Sequence, residues 1–128
     1  MPFSIVRLGS ARLPGEGLRI GTVRFPPRGV AKDARPSGNW FDVWYPNLAP
    51  TAATLKQFRE TGLPAAWPRF ARQFRREMGT PDNRRTLELF AALSRHTNFS
   101  VGCYCADETH CHRAILRDLL LTYGAVPA

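Results

Sequence analysis

The chain has 128 residues, room for one hydrophobic core, and its 44% hydrophobic and 22% charged residues exclude a disordered polymer. No apolar run approaches the roughly 20 residues that span a bilayer, and the segment Met1–Arg7 lacks the basic start and apolar block of a signal peptide, so a cytoplasmic protein without a membrane partner is expected. The net charge is +8 and only Lys32 and Lys56 among the eighteen basic residues are lysines, a guanidinium surplus that attracts phosphates and other anions, nucleic acid among them.

The first apolar run, Phe3–Leu8, reads as a strand, and a Gly/Pro-containing connection from Gly9 to Gly17 leads to a second strand at about Leu18–Phe25. Residues Pro26–Asn39 hold Pro26, Pro27, Gly29, Pro36 and Gly38, too many breakers for a helix or a central strand. A loop this long in a compact domain favours a functional role. Trp40–Tyr45 is aromatic and β-branched and predicts a third, short strand.

The chain then turns helical. Thr51 is placed to cap a helix over about Ala52–Glu60 that Gly62 closes. Trp67, Phe70, Ala71, Phe74 and Met78 fall on one face of the next helix, with Arg69, Arg72, Arg75 and Arg76 on the remainder and Gly79 at its end. Thr80-Pro81 restarts a third helix to about Arg95, burying Leu87, Phe90 and Ala91. Phe99–Cys105 is the last strand, whose period of two puts Phe99, Val101, Cys103 and Cys105 on one face. A final helix over about His110–Tyr123 ends at Gly124. Strands interleaved with helices predict a single-domain α/β layered fold, 1–128, with a mostly parallel sheet of about four strands flanked by helices.

The chemistry concentrates in Cys103-Tyr104-Cys105-Ala106-Asp107-Glu108-Thr109-His110-Cys111-His112-Arg113, which holds all three cysteines and two of the three histidines where a strand ends and a helix begins. An odd cysteine count confined to nine residues is not a secreted disulfide framework. With Thr109 as cap, Cys111 and His112 occupy the first helical turn, where unpaired amides and the dipole favour a thiolate or another anion.

A strand ending in cysteine, an acidic turn and His-Cys-His-Arg opening the last helix resembles the signature of the DUF488 family. Arg24-Phe25-Pro26-Pro27-Arg28-Gly29 resembles that family's Arg-x-x-Pro-Arg-Gly segment. Leu48-Ala49-Pro50-Thr51 resembles its Leu-Ala-Pro-Ser segment, and Trp67-Pro68-Arg69-Phe70-Ala71-Arg72-Gln73-Phe74 resembles its Trp-x-x-Phe-x-x-x-Tyr/Phe helix. The matches span about residues 20–123 in order. The resemblance implies an α/β fold and a site at the last strand–helix junction, without an established reaction. One position departs: where the family often carries glutamate two residues after the strand cysteine, this chain has Cys105.

Several readings of these residues stand side by side. Cys111, with His112 and Cys103, can serve a thiol-dependent enzyme, or the cysteines can be small buried hydrophobes. Arg28, Arg113, His110 and Cys105 can contact a small anionic or nucleotide-type ligand; the plain alternatives are carbonyl contacts for Arg28 and a salt bridge to Asp107 or Glu108 for Arg113. Trp40 can pack in the core or line a pocket and stack on a base. Cys103, Cys105 and Cys111 have ligand types suited to zinc but not the usual Cys-x-x-Cys spacing, so no cofactor is the primary expectation. A non-enzymatic nucleic-acid-binding module using Arg69, Arg72, Arg75 and Arg76 is the alternative function. Cys111 followed by Arg117 spells the thiol phosphatase pattern, but that pattern needs a glycine-rich loop where this sequence predicts regular helix. Oligomeric state is left open.

Overall fold

The computed structural model describes residues 2–128. Its centre is a four-stranded, all-parallel sheet of β1 (Phe3–Arg7), β2 (Leu18–Gly21), β3 (Val43–Trp44) and β4 (Phe99–Cys103), in the spatial order β1-β4-β2-β3. The last strand in sequence is therefore inserted between the first two, with Phe99 level with both Phe3 and Leu18. All five β4 residues are buried. Helices α1 (Ala52–Thr61), α2 (Trp67–Met78) and α3 (Pro81–Leu93) separate β3 from β4, and α4 (His112–Thr122) follows it.

The two sheet faces are covered differently. Phe3, Ile20, Phe99 and Val101 pack into the main core with Phe74 of α2, Leu87 of α3 and Leu116 and Leu120 of α4. The opposite face carries Arg19, Gly21, Ser100 and Gly102 and is covered by irregular chain. A Cβ on Gly102 would stand 2.5 Å from Leu8 Cδ2, and one on Gly21 would run into the Phe41 ring, so these glycines let the two apolar side chains lie on the sheet.

That second face also buries an ion pair. Arg19 is fully buried; its Nε donates to Glu16 Oε2 at 2.7 Å and its Nη2 to Glu16 Oε1 at 2.8 Å. Arg19 Nη1 donates to the carbonyls of Ser10 and Asn39, while Ser100 Oγ and the Leu13 amide donate to the Glu16 carboxylate. Every oxygen of the carboxylate is thus engaged, and these bonds hold Glu16 at about 2 against the upward push of burial.

The α/β layered architecture with a parallel sheet agrees with the sequence reading, and α2 has the bounds its apolar stripe and Gly79 predict. Thr51 caps α1, its Oγ1 accepting from the Thr54 amide at 3.3 Å, and Gly62 adopts a positive φ of 77° beyond its end. Other boundaries need correction. β2 stops at Gly21 instead of Phe25, because Val23–Phe25 leave the sheet to wall a cleft. β3 shrinks to two residues: Phe41 turns under the sheet, and Asp42 is drawn to the Arg19 amide and to Arg12. α3 ends at Leu93, and Thr80 turns its hydroxyl back to the Glu77 carbonyl without capping the helix. β4 ends at Cys103, leaving Cys105 outside the strand. α4 begins at His112; Glu108–His110 form a separate 3-10 turn, capped by Asp107, and Cys111 is the extended residue before the helix. Thr109 is therefore not the α4 cap, and Cys111 is not in its first turn.

Candidate functional site

A cleft of about 740 Å³ opens beyond the carboxyl ends of β2 and β4, the position where parallel α/β sheets place their ligand sites. Three segments wall it: Val23–Arg28 leaving β2, Cys103–Cys105 leaving β4, and Leu55 and Arg59 of α1. Trp40, Pro50 and His112 complete it. Trp40 and Tyr104 meet edge to face at 6.1 Å between ring centroids, and the Tyr104 hydroxyl donates to the Phe25 carbonyl, which ties the two long walls together.

Arg24 is the brace of the upper wall. Its Nε donates to the Pro50 carbonyl at 2.9 Å, and its Nη2 donates to Pro46 and Ala49 at 3.1 and 3.2 Å. The Arg-x-x-Pro-Arg-Gly and Leu-Ala-Pro-Thr segments, separate in sequence, are thereby stitched into one structure. Arg28 and Arg59 differ from Arg24: both are exposed at the cleft, and neither has a hydrogen-bonding or ionic partner among the described residues.

The floor belongs to a sulfur–imidazole cluster, which meets the cleft through Cys103 and His112, with Cys111 behind them. Cys103 at the end of β4 and Cys111 before α4 are both 2% exposed, and their Sγ atoms lie 2.7 Å apart. Cys111 Sγ is 3.9 Å from His112 Nδ1. His112 is buried, and its Nε2 lies 2.6 Å from the Thr22 carbonyl. A carbonyl only accepts, so Nε2 carries the proton; burial lowers the ring's pKa to about 4, which leaves Nδ1 with a free lone pair. The ligand atoms of Cys103, Cys111 and His112 all lie within 4.8 Å of one another.

Cys105, exposed at the cleft, completes the sulfur set. The three thiols share charge unequally. Hydrogen bonds from Cys103 and Cys111, with the nearby His112 and Arg113, pull Cys105 well below the usual thiol range. Cys103 rises to about 11, chiefly through its bond to Cys105, and Cys111 rises further through its sulfur neighbours and burial. The downward shift thus falls on the most solvated sulfur, whereas burial and its sulfur neighbours push Cys111 upward, opposite to the direction expected for it.

The remaining candidates lie elsewhere. Arg113 is 3% exposed and does not wall the cleft; its Nη1 donates to the Cys105 carbonyl at 2.7 Å and weakly to that of Cys103, so it fixes the turn that presents both cysteines. Arg28 and Arg113 therefore do not converge, nor does Arg113 pair with Asp107 or Glu108. His110 stands outside the cleft, bonded through Nδ1 to Asp107 at 2.7 Å and edge-on to Trp67. On α2, Arg75 approaches Asp118 at 3.8 Å; Arg69 reaches Gln57 when the amide oxygen is turned toward it. Arg72 and Arg76 are exposed without partners among the described residues. α4 is regular helix from His112 onward, so no phosphate-cradling loop follows Cys111. Arg59 and Tyr104 were missed by the sequence reading. Nothing in an amphipathic helix distinguishes Arg59, whereas Tyr104 sits between the two strand-end cysteines.

Arginine braces and a cysteine–histidine floor at this junction match the segments that pointed to a family. The family DUF488-N3a, described as the active DUF488-N3 subclade, matches residues 3–124. The chain belongs to the DUF488 family. No curated protein and no solved structure matches it. Within this DUF488 chain, the ordered segments are now given physical roles: Arg24 braces the cleft wall, Arg28 lines the opening, and of the His-Cys-His-Arg run Cys111 and His112 belong to the floor cluster, Arg113 anchors its backbone and His110 lies outside. No helix among the described residues is long and apolar enough to cross a membrane.

Proposed function

We propose that this DUF488 protein binds a small phosphorylated ligand of nucleotide type in the cleft, with the cysteine–histidine floor meeting its reacting end in a thiol-dependent reaction. The observation that carries the reading is that Arg28 and Arg59, both exposed and without partners among the described residues, line one cleft together with Trp40 and Tyr104. Guanidinium groups match phosphate oxygens in geometry as well as charge, and aromatic faces accept a flat base. A volume of about 740 Å³ lies within the range of small-molecule sites. In this reading Cys105 is the sulfur that a bound ligand meets first, Cys103 and His112 line the cleft beside it, and Cys111 lies behind. The description of the matched family as an active subclade is in keeping with a reactive floor.

The test is calorimetric titration of the reduced protein with nucleoside mono-, di- and triphosphates and with pyrophosphate. Saturable binding of at least one is expected, weakened about 10- to 100-fold by Arg28→Ala or Arg59→Ala, the loss of one charge-assisted contact. Binding that the double variant leaves unchanged, or no binding at millimolar ligand, refutes the reading.

A second reading, nucleic-acid binding along α2, is supported by exposed Arg72 and Arg76 and weakened by the ties of Arg69 and Arg75. It requires an affinity that falls steeply with salt and responds to Arg72→Ala and Arg76→Ala but not to Arg28→Ala.

A further inference from the structure

We infer that Cys103 Sγ, Cys111 Sγ and His112 Nδ1 form a three-ligand zinc site whose fourth position opens toward the cleft. The inference goes beyond the proposed ligand and does not depend on it, since neither Arg28 nor Arg59 takes part.

Three observations carry it. First, the three donor atoms lie within 4.8 Å of one another and all three residues are buried, with Cys103 and His112 also lining the cleft, so an ion there is enclosed by protein except on the cleft side. Secondly, the tautomer of His112 is fixed from behind. A metal-ligating histidine characteristically donates its other ring N–H to a backbone carbonyl or carboxylate, which orients the ring and aims the free nitrogen. His112 does this through the Thr22 carbonyl at 2.6 Å, and its Nδ1 meets no stronger partner than Cys111 Sγ at 3.9 Å. Thirdly, Arg113 is buried beside the cluster with no carboxylate partner and with its Nε unbonded. Its Nη1 donates to the Cys103 and Cys105 carbonyls, which fixes the turn that presents Cys103 to the site.

The ligand set selects the ion. Two thiolates and one imidazole suit zinc, and a Cys₂His set with a vacant fourth position is the arrangement of catalytic rather than structural zinc. Binding exchanges the two thiol protons for one Zn²⁺, with both protons passing to solvent. Zinc–sulfur bonds of about 2.3 Å at tetrahedral angles set two sulfurs about 3.8 Å apart. Loading therefore spreads the Cys103–Cys111 pair from its present 2.7 Å. A disulfide would instead draw the same pair to about 2.05 Å, but it has no use for a buried imidazole with an oriented lone pair. Cys105 lines the cleft in front of the open position.

The experiment is titration of the chelator-stripped, reduced full-length protein with Co²⁺ and then Zn²⁺, read by absorbance, proton release and circular dichroism. Expected are one equivalent bound, a thiolate-to-cobalt charge-transfer band with tetrahedral visible bands, two protons released, and displacement by zinc. The bands are lost in Cys111→Ser and His112→Ala, and persist in Cys105→Ser and in the Arg28→Ala/Arg59→Ala double variant. Persistence in the arginine variant separates this site from the proposed phosphate site, whose ligand binding fails there. Less than about a tenth of an equivalent bound by the folded wild-type protein overturns the inference. So does a Cys103–Cys111 disulfide that forms in the presence of stoichiometric zinc.

Discussion

Replacing Glu16 by glutamine removes one charge from a pair that the fold encloses completely. The side chains of Arg19 and Glu16 are 0% and 2% exposed. Glutamine keeps the shape and can still accept from Ser100, but it leaves the Arg19 guanidinium buried opposite a neutral amide. Breaking one side of such a pair costs about 3–5 kcal/mol. The lowered Glu16 pKa points to a similar figure. Glu16 is lowered from 4.5 to about 2, and a shift of that size at about 1.4 kcal/mol per unit corresponds to roughly 3 kcal/mol. Because the folded-state value is the lower one, this stability is fully present above pH 4.5 and is lost as pH falls toward 2. Against a total of about 5–15 kcal/mol for a domain, the substitution lowers the melting temperature by at least about 10 °C. Urea unfolding followed by tryptophan fluorescence at pH 7 and at steps down to pH 2.5 measures both effects. The wild-type chain should lose stability across that range, and the Glu16→Gln chain should lose correspondingly less. A variant within about 1 kcal/mol of wild type at pH 7, or one with an unchanged acid profile, would falsify the assignment of Glu16 as the charged partner.

Two further substitutions test how the cleft and sheet are held. Arg24→Ala removes the brace on the Pro46, Ala49 and Pro50 carbonyls; a loss of about 1.5–3 kcal/mol is expected, with faster amide exchange confined to that wall. Arg24→Lys should rescue little of it, since an ammonium lacks the planar fork; full rescue would contradict the bracing role. Gly21→Ala sets a methyl against the Phe41 ring and should cost about 1–3 kcal/mol in chemical denaturation. An equally stable Gly21→Ala protein would mean that Phe41 does not lie on the sheet.

Long, strongly periodic elements were legible before the structure. The stripe of Phe70, Phe74 and Met78 between Trp67 and Gly79 fixes α2 because one helical face must be apolar and glycine ends it. The strand–helix junction at Cys103–Arg113 was also legible, since cysteine, histidine and acidic residues crowd a point where regular structure changes. What escaped depends on distant chain. Val23–Phe25 has strand composition, yet its position beside Arg59 and Tyr104 makes it a cleft wall. Spacing alone places Arg113 beside Cys111 in sequence, but the carbonyls that capture its guanidinium belong to the end of β4. The closeness of Cys103 and Cys111 depends on how the intervening 3-10 turn folds back, with Asp107 holding Thr109 and His110. Glu16 and Arg19 have helical spacing but lie where the chain is irregular, so their burial against Ser100 has no periodic trace.

The insertion of β4 between β1 and β2 also orders events during synthesis. As the chain emerges, β1 and β2 are made early; β2 meets β3 soon after, at Val43, whereas β1 must wait for Phe99 of β4 to find its strand partner. No fragment ending before Phe99 contains a strand that pairs with β1 in the finished sheet. Such separation is entropically costly to close and leaves strand edges open in the meantime. The segment that completes the sheet also delivers Cys103, so the sulfur–imidazole floor assembles only with the strand that locks the fold.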